Sequence, residues 1–216
     1  PDALDFSWNS GWCCAASKDQ ERDDLGFILE MVEIATNFHN IDASRIYVTG
    51  WSNGCAMAQA LANKASDVFA SVGCMSWYLL QEADNSYSPI PIIELHGVLD
   101  LVIPYASDAN GGLAHGQVPT SETASGAIQN MYNWKEMNGC NGNFPDFNEQ
   151  NTFYSIQGFN DCENNAQVRL VTLHAHGHNP YSEDAQQEST GTFLPGSQVP
   201  ISTSQIAWDF ISQHTK

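Results

Sequence analysis

The most constraining feature of the sequence is the stretch YVTGWSNGCAMA at residues 47–58, which places Ser52 between two glycines. The residues before the serine are β-branched and aromatic, and those after it favour a helix. A sharp strand-to-helix turn crowds its own backbone, so residues without a Cβ are expected at Gly50 and Gly54. Such a turn lifts the central hydroxyl out of the sheet. We interpret it as a nucleophile elbow, and a glycine-rich turn with an incidental serine is the alternative.

Short apolar runs alternate with helical patterns along the rest of the chain. We predict four strands, at 45–50, 68–74, 90–96 and 168–173. We predict helices at about 18–39, from the turn to about 64, at 121–138 and at 203–214. The first of these helices begins at a predicted capping box of Ser17 and Gln20. The polar stretches are interpreted as loops, at 105–119, 139–165 and 179–202.

This alternation predicts an α/β fold in which a mostly parallel sheet is covered by helices on both faces. The predicted strands are short and apolar, as is typical of parallel strands that are buried on both sides. No internal repeat or linker divides the chain, so we expect a single domain over residues 1–216.

The strongly acidic composition narrows the range of partners. Seven Lys and Arg residues oppose 25 Asp and Glu residues, a formal net charge of −18. Such a surface repels phosphate groups, so we expect neither nucleic acid nor a membrane as a partner. No stretch has the roughly 18 to 20 apolar residues that a membrane span requires. The charge is interpreted as a solubility feature, since no EF-hand spacing indicates a cation site.

Six cysteines and the low lysine content indicate disulfides and an oxidising compartment, and hence a secreted, extracellular protein. None of the cysteines forms a C-x-x-C pair, and they stand at Cys13, Cys14, Cys55, Cys74, Cys140 and Cys162. The last two flank a polar loop and are predicted to pair. A bridge between adjacent cysteines is strained, so we expect the first two to pair with Cys55 and Cys74 in an order left open. Buried free thiols are the alternative for some of the six.

A serine hydroxyl is a weak nucleophile, so Ser52 needs a base and an acid that orients the base. In parallel α/β sheets such groups gather at the carboxyl ends of strands. Asp100 lies just past the strand predicted at 90–96 and is our candidate acid, with a turn aspartate as the alternative. His96 precedes it, but the strand end should hold this side chain. We therefore interpret His96 as structural.

Three histidines alternate after the strand predicted at 168–173, at His174, His176 and His178. Alternate imidazoles on one face suggest a metal such as Zn²⁺, but no acidic or cysteine ligand follows at a familiar spacing. Gly177 should break the strand and place His178 on a loop that can swing over the elbow serine. We predict His178 as the base, with His176 as the alternative, and we predict no metal or other cofactor.

These residues belong to longer segments that match a known family. The segments are 5–9 with the cysteines at 13 and 14, 23–27, 46–54, 96–97 with Asp100 and 102–105, 138–140, Cys162 and 177–178. Along nearly its whole length, the chain resembles the extracellular polyhydroxybutyrate depolymerase-like and feruloyl esterase-like α/β-hydrolases. The resemblance implies Ser52 as nucleophile, Asp100 as acid and His178 as base, in the chain order typical of that fold.

Three departures from the family pattern affect the expectations. Cys55 stands where the family usually has a third glycine, and a disulfide there would fix the elbow. Asn179-Pro180-Tyr181 replaces the usual tryptophan and proline, so the family's substrate preference does not transfer directly. The family's early strands and one oxyanion loop would precede Pro1, so we expect a catalytic domain that is truncated at its N-terminus. The strand at 45–50 should then have an unpaired edge.

The sequence therefore predicts a secreted serine esterase whose partner is a small-molecule or polymeric ester substrate. The ester belongs to an acylated polysaccharide, feruloyl or acetyl, or to a polyhydroxyalkanoate polyester. The backbone N–H of Asn53 is predicted to bind the oxyanion. Among the aromatic residues at 8, 12, 51, 77 and 78, Trp51 is the predicted substrate contact. The alternatives are a serine peptidase of the same fold and a catalytically inert binding protein on a hydrolase scaffold.

Overall fold

A six-stranded sheet organises the structure, a computed structural model that describes residues 3–106, 126–180 and 201–216. The strands are β1 (Tyr47–Trp51), β2 (Ser71–Met75), β3 (Ile92–Gly97), β4 (Phe147–Gln150), β5 (Tyr154–Phe159) and β6 (Val168–Leu173). Their spatial order is β1-β2-β3-β6-β5-β4. The first four strands of this order are parallel, and β5 and β4 add an antiparallel hairpin.

Helices cover both faces of the sheet. They are α1 (Ala15–Asp19), α2 (Asp24–Phe38), α3 (Asn53–Lys64), α4 (Ala127–Met137) and α5 (Thr203–Ile211). One core cluster joins the buried, alanine-rich α3 and residues of α4 to one side of the sheet. A second cluster joins α5 to the opposite side, through residues such as Ile93 and Leu95 of β3. The predicted α/β class, with a mostly parallel sheet covered on both faces, is confirmed.

The N-terminal helix differs from its prediction. The predicted capping box of Ser17 and Gln20 is wrong, because a short α1 ends before a separate α2 begins. The true N-cap is Asp23, whose side chain accepts a hydrogen bond of 2.9 Å from the backbone N–H of Gly26. An aspartate at this position satisfies an N–H that the helix leaves unpaired. It therefore sets the start of α2 later than expected.

The segment 139–165, predicted as a loop, contains the β4–β5 hairpin, so that prediction is wrong. β5 pairs antiparallel with β6 over six residues, and β4 forms the outer edge. The exposed β4 sequence, FNEQ, has no apolar alternation that would indicate a strand. Most of the predicted loops 105–119 and 179–202, and the start of the helix predicted at 121, lie outside the described residues.

The six cysteines form three disulfide pairs. Cys140 and Cys162 pair as predicted, with their Cα atoms 3.7 Å apart. Cys55 on α3 pairs with Cys74 on β2, at a Cα separation of 4.9 Å. The expectation that both of these bind the N-terminal cysteines is therefore wrong. The N-terminal cysteines instead form a vicinal pair with each other.

Two further observations concern the edges and surface of the described chain. Among the described residues, β1 pairs with β2 alone and lies at one end of the sheet. No helix within those residues is both long enough and apolar enough to cross a bilayer.

Candidate active site

Ser52 occupies the turn between β1 and α3 with a φ of 54° and a ψ of −126°. A positive φ is uncommon for a residue with a side chain and is often found at functional sites. Gly50 is required by this turn, because a Cβ there would overlap the carbonyl of Gly54. The same requirement predicted for Gly54 is wrong, since a Cβ at that position would meet no atom within 4 Å.

A chain of hydrogen bonds joins the elbow serine to the two other predicted site residues. The Ser52 Oγ lies 2.8 Å from Nε2 of His178, and Nδ1 of His178 lies 2.8 Å from Oδ2 of Asp100. Asp100 follows β3 and His178 follows β6, two neighbouring parallel strands whose carboxyl ends share one edge of the sheet. The fold thus brings these three side chains together from positions that are up to 126 residues apart.

Asp100 is held as an ionised carboxylate. It is only 4% exposed, and its Oδ1 accepts hydrogen bonds of 2.8 Å from the backbone N–H groups of Val102 and Ile103. Burial opposes ionisation, but the hydrogen bonds from His178, from His96 and from the backbone hold the pKa of Asp100 well below its usual range. A carboxylate in this state accepts a hydrogen bond from Nδ1 of His178 and leaves Nε2 to accept the serine proton.

The loop that carries His178 is fastened through its backbone carbonyl. The indole Nε1 of Trp51 donates a hydrogen bond of 2.6 Å to this carbonyl oxygen, and the Ser76 hydroxyl lies 3.3 Å from the same atom. The Trp51 ring also contacts the His178 ring, with 5.5 Å between the ring centroids. Trp51 therefore anchors the imidazole as well as standing next to the serine. Its predicted role as a substrate contact stays a prediction.

Of the other two alternating histidines, His174 lies away from the serine. Its ring nitrogens lie 3.3 Å from the carbonyl of Thr152 and 3.4 Å from the Ser155 hydroxyl. His176, the alternative base, is buried. Within the described residues, no group of three or more His, Cys, Asp or Glu side chains is arranged to hold a metal ion.

A cavity of about 330 Å³ opens at the serine. Its lining includes the site residues and an apolar rim, and comprises Trp51, Ser52, Leu99, Leu101, Val102, Gly177, His178 and Asn179. Trp51 is 41% exposed and Leu101 is 77% exposed. Large apolar side chains with this exposure, grouped around a reactive hydroxyl, offer a surface for an apolar group of a ligand.

Asn53, the predicted oxyanion donor, is the first residue of α3. Its backbone N–H is therefore one of the four that a helix N-terminus leaves without an intrahelical acceptor. Its side chain is fixed by the segment before α1. Asn53 Oδ1 accepts from the backbone N–H of Trp8 at 2.6 Å, and Asn53 Nδ2 donates to the Trp8 carbonyl at 2.9 Å.

The remaining aromatic candidates lie in the core or, like Trp8 and Trp12, are partly buried and pack against it. Trp77 and Tyr78 are buried core residues, and Trp8 stacks against Phe27 with 6.4 Å between ring centroids. Sequence reasoning did not single out Ser76 or Glu94. The only sequence signal for Glu94 is an acidic residue inside an otherwise apolar run predicted as a buried strand.

Comparisons with known proteins agree with this architecture. A model of the prolyl oligopeptidase family matches residues 10–100. Feruloyl esterase B from Piromyces equi is 29% identical over 178 residues, which are 80% of this chain and 31% of that protein. A bifunctional acetylxylan esterase/xylanase from Neocallimastix patriciarum is 21% identical over 206 residues, 95% of this chain and 25% of that protein. The chain therefore spans less than a third of each of these relatives.

A solved structure also matches, at low similarity. This acetyl xylan esterase from Aspergillus awamori has a TM-score of 0.49 and 16% identity, over 71% of this chain and 61% of that one. The mostly parallel sheet and the strand–serine–helix turn are those of an α/β-hydrolase fold, and the sequence matches show that the chain resembles feruloyl esterases of that fold.

Proposed function

We propose that the chain is the catalytic domain of a serine carboxylic-ester hydrolase, with Ser52, His178 and Asp100 as its triad. The observation that supports this most strongly is the unbroken line of 2.8 Å hydrogen bonds from the serine hydroxyl through the imidazole to a buried carboxylate. The relatives' names, feruloyl esterase and acetylxylan esterase, support ester hydrolysis as the reaction class.

In the proposed mechanism the Ser52 Oγ attacks the ester carbonyl while Nε2 of His178 takes the hydroxyl proton. The C–O bond to the leaving alcohol then breaks, and the same Nε2 protonates that alcohol. Asp100 keeps the imidazole in the tautomer that accepts at Nε2 and stabilises the imidazolium. A water molecule, deprotonated by His178, then releases the acid and restores the serine.

The oxyanion that forms in both steps needs hydrogen-bond donors. We propose the backbone N–H of Asn53 as one donor, because it stands at the N-terminus of α3 directly after the nucleophile. A second donor is not assigned within the described residues. Removing one such donor typically costs about 10²–10³ in rate.

The proposed substrate is an acylated polysaccharide that carries feruloyl or acetyl esters. The names of the relatives support this class, and the apolar rim of Trp51, Leu99 and Leu101 supports an aromatic or otherwise apolar acyl group. The polyhydroxyalkanoate alternative stays a prediction from the sequence resemblance. We also propose that the protein acts outside the cell, which the three disulfide pairs support.

A serine peptidase is the second candidate function. The match to the prolyl oligopeptidase family over residues 10–100 favours it, since that segment includes Ser52 and Asp100. The same triad chemistry hydrolyses amides, so the site geometry alone does not separate the two classes.

A substrate panel tests the proposal. Methyl ferulate, acetylated xylan, a polyhydroxybutyrate suspension and a prolyl nitroanilide would be compared under the same conditions, with Ser52→Ala as the control. Hydrolysis of methyl ferulate or acetylated xylan, lost in Ser52→Ala, is the expected result. Cleavage of the anilide alone would favour the peptidase. No turnover of any substrate by the folded protein would favour the inert binding scaffold.

A further inference from the structure

A buried carboxylate and a buried imidazole lie behind Asp100. Glu94 and His96 lie two residues apart on β3, so their side chains share one face of the strand. They are 3% and 0% exposed, respectively. Glu94 Oε1 lies 2.8 Å from His96 Nδ1, and His96 Nε2 lies 3.5 Å from Oδ2 of Asp100. This Oδ2 is the same oxygen that accepts from His178.

The positions of the hydrogens follow from the acceptors around the ring. His96 Nε2 faces the carbonyl oxygen of Ile103 at 2.8 Å and the Asp100 carboxylate, and both are acceptors only. Nε2 must therefore carry a hydrogen. A second hydrogen must lie between Nδ1 and the Glu94 carboxylate. With both hydrogens on the ring, His96 is an imidazolium placed between two carboxylates.

Electrostatics keeps this second proton on the pair. Burial disfavours a charged His96, but the Glu94 charge and the surrounding acceptors raise the pKa of His96 to about 10. Burial also raises the pKa of Glu94. Both shifts act against loss of the shared proton near neutral pH. The Tyr78 ring, which stacks on the imidazole at 5.3 Å, shields the pair from water.

We propose that Glu94 and His96 are positioning residues of the site: the Glu94 carboxylate holds His96 as an imidazolium, which keeps Asp100 ionised and its Oδ2 directed at His178. This inference rests on the proposed hydrolase function. It extends the site to a line of five side chains that runs from Glu94 through the triad to Ser52.

A purely structural role explains these residues poorly. A buried ion pair is typically no more stabilising than well-packed apolar side chains of the same volume. The other side chains of β3 are apolar. Through His96, however, the pair contacts Oδ2 of Asp100, the oxygen that orients His178.

Other ionisable groups around the site must be considered in any pH measurement. Those that face Asp100 and His96 from the adjoining segments are Glu94, Tyr78, Tyr105 and His178. Burial raises the pKa values of both tyrosines, so they stay neutral across the working range. The carbonyl of His176 accepts a hydrogen bond from the backbone N–H of Leu99, and burial lowers the pKa of the His176 imidazole, which favours its neutral form.

The first test reads the proton directly in the wild-type protein. Imidazole ¹⁵N NMR at pH 8 should show both nitrogens of His96 protonated, with the resonances assigned by their loss in His96→Gln. A neutral tautomer of His96 at this pH would overturn the proposal. This measurement needs no catalytic activity, so it stands even if the proposed hydrolase function fails.

The second test uses Glu94→Gln, whose amide can donate to Nδ1 and leave His96 neutral. Loss of the nearby positive charge should move the acidic limb of the kcat/KM profile to higher pH. kcat should fall while KM is unchanged, because neither Glu94 nor His96 lines the substrate cavity.

Thr172→Val is the matched control. Thr172 pairs with His96 across β3 and β6 and holds the Tyr105 hydroxyl at 2.7 Å, but it bears no titratable proton. The control should lose stability without moving the acidic limb of the kcat/KM profile. An unmoved limb in Glu94→Gln, or an equal shift in both variants, would overturn the proposal. If Glu94→Gln does not fold, the wild-type measurement decides.

Discussion

The two sides of the candidate site are held in place by different forces. Ser52 is positioned by backbone sterics and by the buried apolar residues of α3. The only charged side chain of that helix is Lys64, at its far end. Asp100 and His178 lie on loops and are positioned by hydrogen bonds to buried or partly buried polar groups. The nucleophile should therefore respond to changes in packing, and the acid–base pair to changes in protonation.

Because of this difference, substitutions on the two sides should have different effects. A methyl group added at the turn should disturb Ser52 at every pH, because steric overlap does not titrate. A change of charge behind Asp100 should act on the base. The first predictions below each probe one side, and the last probes the place where the two sides meet.

The largest effect is expected on the acid–base side. In Asp100→Asn the amide cannot hold the His178 tautomer that accepts a proton from Ser52, so kcat for an activated phenyl ester should fall about 10⁴-fold. The circular dichroism spectrum should match wild type. A loss of less than tenfold would show that Asp100 does not orient the base.

On the nucleophile side, Gly50→Ala and Gly54→Ala form a matched pair. A Cβ at Gly50 would overlap the Gly54 carbonyl, so we expect a loss of about 1–3 kcal/mol or more in the free energy of unfolding. A Cβ at Gly54 meets no atom within 4 Å, and alanine is the better helix former, so stability should hold or rise by up to about 1 kcal/mol. Equal losses in urea unfolding would contradict the steric account.

The pH dependence of stability probes the buried pair of Glu94 and His96. Below about pH 6.5 an unfolded histidine is also protonated, so the contribution of the pair is fully present. Above that, only the folded state keeps the proton until the pH passes the raised His96 pKa of about 10. Between these two pH values unfolding releases a proton, so the free energy of unfolding should fall there by up to about 1.4 kcal/mol per pH unit.

Urea unfolding between pH 6 and 10 measures this slope. The slope should be smaller in Glu94→Gln, where the raised pKa of His96 is lost. Identical slopes in wild type and variant would show that the pair holds no extra proton in the folded state.

The smallest effect is expected where the two sides meet. Trp51→Phe keeps an aromatic ring beside Ser52 but removes the N–H that binds the His178 carbonyl. Loss of one such hydrogen bond is worth about 1 kcal/mol, so kcat should fall about fivefold. A change in KM alone would instead assign Trp51 to substrate binding, as the sequence predicted.

The sequence predicted the parts of the structure that depend on local patterns. The turn at Ser52 and the strand-to-helix alternation follow from residue types over short windows, and β1, β3, β6 and α3 lie within a few residues of their predicted positions. The three residues of the candidate triad could also be proposed from the sequence, since each member follows a recognisable strand. His96 was interpreted as structural, and its Nε2 does contact the Ile103 carbonyl after the strand end, but the positioning role proposed above goes beyond that interpretation.

The parts that depend on long-range contacts were not predictable in this way. The β4–β5 hairpin is stabilised by pairing with β6 and by the Cys140–Cys162 bridge rather than by an apolar pattern of its own. The bridge of Cys55 to Cys74 depends on how α3 packs against β2. The link from Glu94 through His96 to Asp100 depends on the path of the loop after β3. This loop places the Asp100 carboxylate beside the strand face that carries Glu94 and His96, and short sequence patterns do not reveal such a path.

Reaction with a fluorophosphonate, followed by mass spectrometry of the adduct, tests the central claim most directly, because only an activated serine is labelled. The account predicts one adduct on Ser52 that is lost in His178→Ala, with Ser76→Ala as a control that still reacts. A folded protein that carries no adduct, or that is labelled equally without His178, would contradict it.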